Sequence, residues 1–173
     1  MAAGEAILTG MVSLGIHLIL GAAVIAWLIR SNPQIFSRVP GGPAFSTLEV
    51  VYYVLGIASI VLGYYFNHQF VAQYAVPGGN MFWGPGSWQE FIKLGYTNPA
   101  AASASQDYTI INVLLLPLFT IADGMRRGIR RPWLYFVASL FTSCAFAYAF
   151  YFATNERQHR HEKASVAGDL TRA

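Results

Sequence analysis

Four stretches of this chain, at about residues 6–29, 47–70, 106–125 and 132–155, are long, apolar and nearly free of charge. A helix needs ~20 mainly apolar residues to cross ~30 Å of hydrocarbon, and each stretch comes close to that requirement. The pattern predicts an all-α fold: a four-helix transmembrane bundle forming a single domain over residues 1–157, then a flexible polar tail over 158–173. Composition points to lipid as the main solvent. Hydrophobic residues make up 55% of the chain and charged residues 11%, against roughly a quarter charged in an ordinary soluble domain. The net charge of +3 would suit a nucleic acid, but the basic residues flank apolar helices, where anionic lipid is the nearer partner. Membrane lipids are therefore expected as partners, and nucleic acid is not.

The first stretch has no Lys or Arg before it, carries Glu5, and is followed by Arg30. It reads as a retained helix rather than a cleaved leader. Between the last two stretches lie Arg126, Arg127, Arg130 and Arg131, a compact basic turn. With four crossings, Arg30 and Arg38 share its face, while Lys93, Arg157, Arg160, Lys163 and Arg172 lie opposite. That split is nearly even, so the compact turn decides the orientation: the turn in the cytoplasm and both termini outside.

The helix ends carry legible chemistry. Ser46-Thr47-Leu48-Glu49 matches a capping box, in which the serine accepts from the third helical N–H and the glutamate reaches back. Ser87-Trp88-Gln89-Glu90 repeats the pattern. After it, Trp88, Phe91, Ile92 and Tyr96 share one side, predicting a short interfacial helix inside the long Gly-, Pro- and aromatic-rich loop from Val76 to Asn98. Pro117 cannot donate to the Val113 carbonyl, which predicts a kink in the third helix.

Small and polar residues inside the stretches fall on stripes at helical spacing. Gly10, Ser13, His17 and Gly21 line one, and Glu49, Tyr52, Gly56, Ser59, Gly63 and Asn67 another; Thr109, Asn112, Thr120, Asp123 and Arg127 form a third. In lipid such residues face protein or trapped water. One explanation is close helix packing, which suits a non-enzymatic accessory component that packs against itself or a larger membrane assembly. The other is a pocket for a lipid- or isoprenoid-like molecule, with His17, Glu49, Tyr52, Asn67, Asn112, Asp107 and Asp123 as candidate lining. Asp123 stands at the unfavourable end of its helix, which predicts pairing with Arg126, Arg127 or an arginine of the short loop. Cys144 sits in an apolar run and reads as a packing residue. His159 and His161 have no Cys or carboxylate cluster beside them, and no glycine-rich phosphate loop or zinc-protease helix is present, so no metal or cofactor is expected.

Several short runs resemble one family. Tyr64-Tyr65-Phe66-Asn67, Asn98-Pro99-Ala100 followed by Ser105 and Asp107, Asp123-Gly124-Met125-Arg126-Arg127-Gly128, and Phe150-Tyr151-Phe152 followed by Glu156-Arg157 are together similar to the bacterial membrane family DUF2834, a domain of unknown function. The resemblance covers about residues 50–157. It implies a small multi-pass protein of the bacterial inner (plasma) membrane, with no reaction or site residues attached, and it leaves the first helix as an addition. A fainter similarity, in the order of span, aromatic loop, Asn98-Pro99, Leu116-Pro117 and Arg131-Pro132, is to emopamil-binding and sterol-isomerase-like proteins, with membrane terpene cyclases alike in architecture. It implies an intramembrane isomerase or cyclase in which Asp107, with Glu49 or Asp123, acts as a paired acid. The tryptophan and histidine partners expected around such a site are not evident in this chain.

Overall fold

The computed structural model describes residues 2–170; Arg172 and the side-chain surroundings of Glu5 and Gly10 lie outside the described residues. All regular structure within them is helical. The helices are α1 (Ala2–Ser31), α2 (Pro33–Phe36), α3 (Thr47–Tyr74), α4 (Trp88–Leu94), α5 (Pro99–Thr109), α6 (Leu116–Arg126), α7 (Leu134–Phe141) and α8 (Cys144–Leu170). A π-helical segment, Ile110–Leu115, joins α5 to α6 without a break. Among the described residues, three spans are long and apolar enough to cross a membrane: Met11–Ser31, Thr47–Tyr74 and Pro99–Arg126.

Local chemistry sets the ends. Ser46 accepts from the Glu49 N–H (3.1 Å) and Glu49 Oε2 accepts from the Ser46 N–H (2.6 Å), so the capping box is complete. At α4 the box is displaced by one residue. Ser87 accepts from Glu90 N–H, but Glu90 Oε2 accepts from Gly86 rather than from Ser87. Pro117 produces the π segment instead of a simple kink. The Leu116 N–H bonds to the Ile111 carbonyl, five residues back, so the wider turn absorbs the donor that proline lacks.

The fourth apolar stretch does not form one helix. α7 ends at Thr142 (φ −121°, ψ −93°), and at ~1.5 Å per residue its eight residues rise only ~12 Å. α8 then runs back antiparallel to α7, with Tyr135 donating to Thr154 Oγ1 (2.8 Å) across the hairpin. The hairpin tip meets the middle of the long helices: a Cβ on Gly21 of α1 would lie 3.0 Å from Thr142 Cγ2, and Ser143 shares a 2.7 Å hydrogen bond with Ser59 of α3. α8 then reaches the end of the molecule where α1 finishes and α3 begins. A Thr-Ser pair explains the break, because Thr142 Oγ1 donates back to the Ala138 carbonyl (2.7 Å) and Ser143 Oγ accepts from the Phe146 N–H (3.0 Å), capping the new helix. The Phe141 carbonyl freed at the tip accepts from Tyr64 OH (3.1 Å), so the polar backbone stays satisfied.

Residues read as a polar tail continue α8 to Leu170, because Arg157 and Arg160 tie its middle to the rest of the chain. Arg157 is buried and donates to the carbonyls of Ile35 (3.0 Å), Ala44 (3.1 Å) and Ser37 (3.0 Å) and to Glu49 Oε1 (2.9 Å). Arg160 pairs with Glu49 Oε2 and the Pro43 carbonyl. Beside this network Asn32, fully buried, joins α1 to the arginine turn: Oδ1 accepts from the Arg130 N–H (2.7 Å), and Nδ2 donates to the carbonyls of Leu28 (2.9 Å) and Arg130 (3.0 Å).

The apolar core gathers at the same end. Leu28, Ile35, Ile129, Leu134, Tyr135, Phe146, Phe150 and Tyr151 form one cluster in which α7 and α8 are wedged between α1 and α3. Helix packing concentrates on α3 with α8, α1 with α7 and α7 with α8. Above the hairpin tip no equivalent cluster of described residues fills the space between the long helices.

Arg157→Met leaves Glu49 buried with part of its charge compensation gone. The expected cost is about 3–5 kcal/mol, read as a fall in thermal midpoint in detergent; an Arg157→Met protein as stable as the parent would remove the pair from its structural role.

Candidate functional site

The space above the hairpin tip is a cleft of about 1190 Å³. Its walls are residues 12–17 of α1, the second half of α3, and α5 with the π segment; the tip of the hairpin is its floor. The loop over 75–98 and α4 close its far end. That loop is built rather than slack. Gly86 has φ +74° and approaches α3 so closely that a Cβ would sit 2.6 Å from the Ala75 Cα, while Trp88 N–H donates to the Met81 carbonyl (3.0 Å).

Three of the sequence-predicted residues meet in this cleft: His17, Asn67 and Asn112. His17 uses Nδ1 on the Ser13 carbonyl (2.7 Å), which in the neutral ring makes Nδ1 the donor and leaves Nε2 an acceptor. Its ring stacks on Trp88 (centroids 5.5 Å apart) and lies 6.0 Å from Phe141. Asn112 is buried, 7% exposed, on the π segment. Its Nδ2 donates to Tyr108 OH (3.2 Å), and its Oδ1 is buried with no hydrogen-bond partner. Such an orphan acceptor costs about 1–3 kcal/mol unless something donates to it, and a π turn is a frequent device at binding and catalytic sites.

Most other polar groups of the lining are already paired. Ser59 and Ser143 bond each other, Tyr64 bonds Phe141, Ser105 donates to the Gly95 carbonyl (2.8 Å), and Tyr96 OH meets Thr109 Oγ1 (2.9 Å). Among the described residues, no Asp, Glu, Lys or Arg lines the cleft. The side read as the buried face of the interfacial helix, Trp88, Phe91, Ile92 and Tyr96, turns to the cleft as a whole.

The remaining four candidates lie elsewhere, each for a visible reason. Glu49 is fully buried but committed to Arg157, Arg160 and its own helix cap. Tyr52 packs against Phe152 (5.7 Å) beside α8. Asp107 is exposed on α5. Asp123 Oδ2 accepts from Arg127 Nε (2.7 Å), as its place at the helix end predicts, and also from Tyr151 OH (2.7 Å). The paired acid of the isomerase or cyclase resemblance is therefore not assembled: Asp107, Glu49 and Asp123 occupy three separate surroundings, none in the cleft.

The stripe on α3 divides into two uses. Gly56 meets the hairpin, where a Cβ would lie 3.0 Å from Phe146 and 3.4 Å from Ala149, whereas Gly63 has nothing within 4 Å and opens to the cleft. Sequence reasoning missed Tyr64, Tyr108, Phe141 and Trp88 as lining. Only Trp88 carried a signal, through the one-sided pattern of its short helix. Gly56→Leu is expected to overpack the α3–α8 contact by about 1–3 kcal/mol, while Gly63→Leu stays within about 0.5 kcal/mol of the parent. Thermal melts of the two variants in the same detergent check this, and equal destabilisation would contradict an open cleft at Gly63.

The chain matches the family model "Protein of unknown function DUF2834" over residues 51–157. No curated protein and no solved structure matches it. The match begins just inside α3 and ends at Arg157, taking in the π segment, the arginine turn, the hairpin and every cleft wall but that of α1. By that match, over more than half its length, this helical, membrane-associated chain belongs to the DUF2834 family.

Proposed function

We propose that the protein binds a single neutral amphiphile, lipid- or isoprenoid-like, in the cleft between α1, α3 and α5. The observation that carries this reading is the unpartnered Oδ1 of Asn112 on the wall of a large cleft with no charged lining residue among the described ones. An apolar body suits the Val, Leu, Ile, Phe and Trp side chains there. A hydroxyl or amide N–H on its head would donate to Asn112, within reach of the His17 and Trp88 stack. A phosphorylated head finds no cation among the described lining residues, which favours a neutral one.

A non-enzymatic accessory component of a larger assembly is the second reading. The small-residue faces it rests on are mostly used inside the chain, since Gly21 and Gly56 both abut the hairpin, which is why the amphiphile is preferred. Acid catalysis in the cleft would have His17 as its titratable lining group besides Cys144 and the tyrosines, so an isomerase or cyclase is the least supported of the three.

The membrane arrangement we propose is three crossings plus a helical hairpin dipping in from the arginine face, in place of a four-helix bundle. Under it the carboxyl-terminal segment lies on the same face as the arginine turn. Arg30, Arg38, Arg126, Arg127, Arg130, Arg131, Arg157, Arg160 and Lys163 all share that face and Lys93 stands opposite. So uneven a distribution supports a cytoplasmic arginine face in a bacterial inner membrane.

Two experiments test these readings. Single cysteines introduced into a Cys144→Ser background at Gln34, Phe82 and Ser165 are labelled with a membrane-impermeant maleimide. Gln34→Cys and Ser165→Cys should react from one side and Phe82→Cys from the other; reaction of Ser165→Cys together with Phe82→Cys would restore a fourth crossing. Native mass spectrometry from mild detergent should find one neutral lipid per chain, with Asn112→Leu weakening its retention about tenfold, the worth of one hydrogen bond of ~1.4 kcal/mol. A ligand-free monomer would count against the cleft reading, and a co-purifying protein without lipid would favour the assembly.

A further inference from the structure

A second cleft, of about 420 Å³, opens at the arginine end and is lined by Trp27, Arg30, Ser31, Pro33, Arg130 and Arg131. It is far in structure from the first, and the amphiphile reading makes no use of it. Two segments distant in sequence build it. The end of α1 supplies Arg30, and the turn before α7 supplies Arg130 and Arg131. Asn32 holds them in register by exchanging hydrogen bonds with the Arg130 backbone in both directions.

One of its cations, Arg131, is held in place by the fold. Arg131 adopts φ +57°, a conformation that costs a non-glycine residue free energy and persists only when its surroundings impose it. Its Nη1 donates to Ser31 Oγ (2.9 Å), and its guanidinium carbon lies 5.3 Å from the centre of the Trp27 ring. One N–H of five is thus committed to Ser31. No carboxylate lines the cleft among the described residues; of the acids at this end, Asp123 is paired with Arg127, Glu49 with Arg157 and Arg160, Glu156 accepts from Ser46 and Glu162 lies beside His159. Three exposed arginines thus line one cleft, with no acid among its described lining residues.

The apolar rim points to the kind of anion. Trp27 and Trp133 pack edge to face (5.6 Å) and are both substantially exposed, at 45% and 41%. Paired indoles at the end of a spanning helix suit headgroup depth, where the ring meets both acyl chain and water. Guanidinium forks match phosphate oxygens in pairs.

We propose that this cleft binds a phosphate monoester or diester, and that the anion is the headgroup phosphate of an anionic membrane lipid. Arg30, Arg130 and Arg131 hold the phosphate, while Trp27 and Trp133 flank the first carbons of the acyl chains.

The test uses the full chain in mild detergent, titrated with phosphatidylglycerol or phosphatidylcholine and read by native mass spectrometry. Arg30→Gln with Arg130→Gln removes two cations whose side chains carry no structural hydrogen bond in the fold as described, so folding is preserved. Arg38→Gln with Arg126→Gln makes the same charge change outside the cleft. The parent should retain one phosphatidylglycerol in preference to phosphatidylcholine. The first double variant should bind it roughly thirtyfold more weakly, about fivefold for each arginine brought to an anionic lipid, and the control at most about fivefold. Excess inorganic phosphate should leave the lipid in place; its displacement by phosphate alone would keep the phosphate site and assign it to a soluble anion. Equal retention of the two lipids, or equal loss in the two double variants, would overturn the proposal.

Discussion

Glu49 and Arg157 hold this structure at a single point. A carboxylate with no exposed surface and a guanidinium almost as buried lie in a low-dielectric interior, where either alone would cost several kcal/mol. Each is completed by partners the other does not share: Glu49 caps α3 and receives Arg160, and Arg157 gathers three carbonyls of the segment between α1 and α3. The arrangement thereby fixes where α3 starts, how the preceding segment folds and where α8 leaves the core. With α8 fixed there, α7 must fold back against it, and the aromatic cluster of Tyr135, Phe146, Phe150 and Tyr151 fills the wedge. Dense packing at the arginine end and the hollow at the other end both follow from that one placement.

The local chemistry of the chain was readable in its letters. The cap at Ser46, the short helix after Ser87, the disturbance at Pro117 and the pairing of Asp123 with an arginine all depend on residues within a few positions of one another. The hairpin was not readable from length and apolarity, because these two properties count how much hydrophobic chain there is and are blind to its direction. Residues 132–155 contain enough for a crossing, and a fold-back at Thr142 and Ser143 consumes the same residues. Two signals did bear on it: a Thr-Ser pair in mid-stretch that can end one helix and cap the next, and a nearly even division of basic residues that only a fold-back turns into a one-sided one.

The candidate site divides along the same line. His17, Asn67 and Asn112 were found through periodicity, since a polar residue on a small-residue stripe faces inward whatever it faces. Glu49 and Tyr52 sit on the same stripe of α3 as Asn67, yet the hairpin covers the lower part of that stripe and stops short of the upper part. One stripe therefore serves as packing surface and cleft wall in turn, and the boundary is set by a tertiary contact that no spacing rule contains. Arg157 shows the limit most plainly: its partners lie more than a hundred positions upstream, and nothing near it in sequence announces them.

The hairpin tip also fixes how deep the cleft can be. Adding one helical turn to each arm would raise the floor by ~5.4 Å without altering a wall residue, and removing one would lower it by as much. Cleft depth is thus encoded in a count of residues rather than in the identity of any of them. Insertions and deletions around Thr142 and Ser143 would trade packed interior for open volume while the buried ion pair at the far end stays in place.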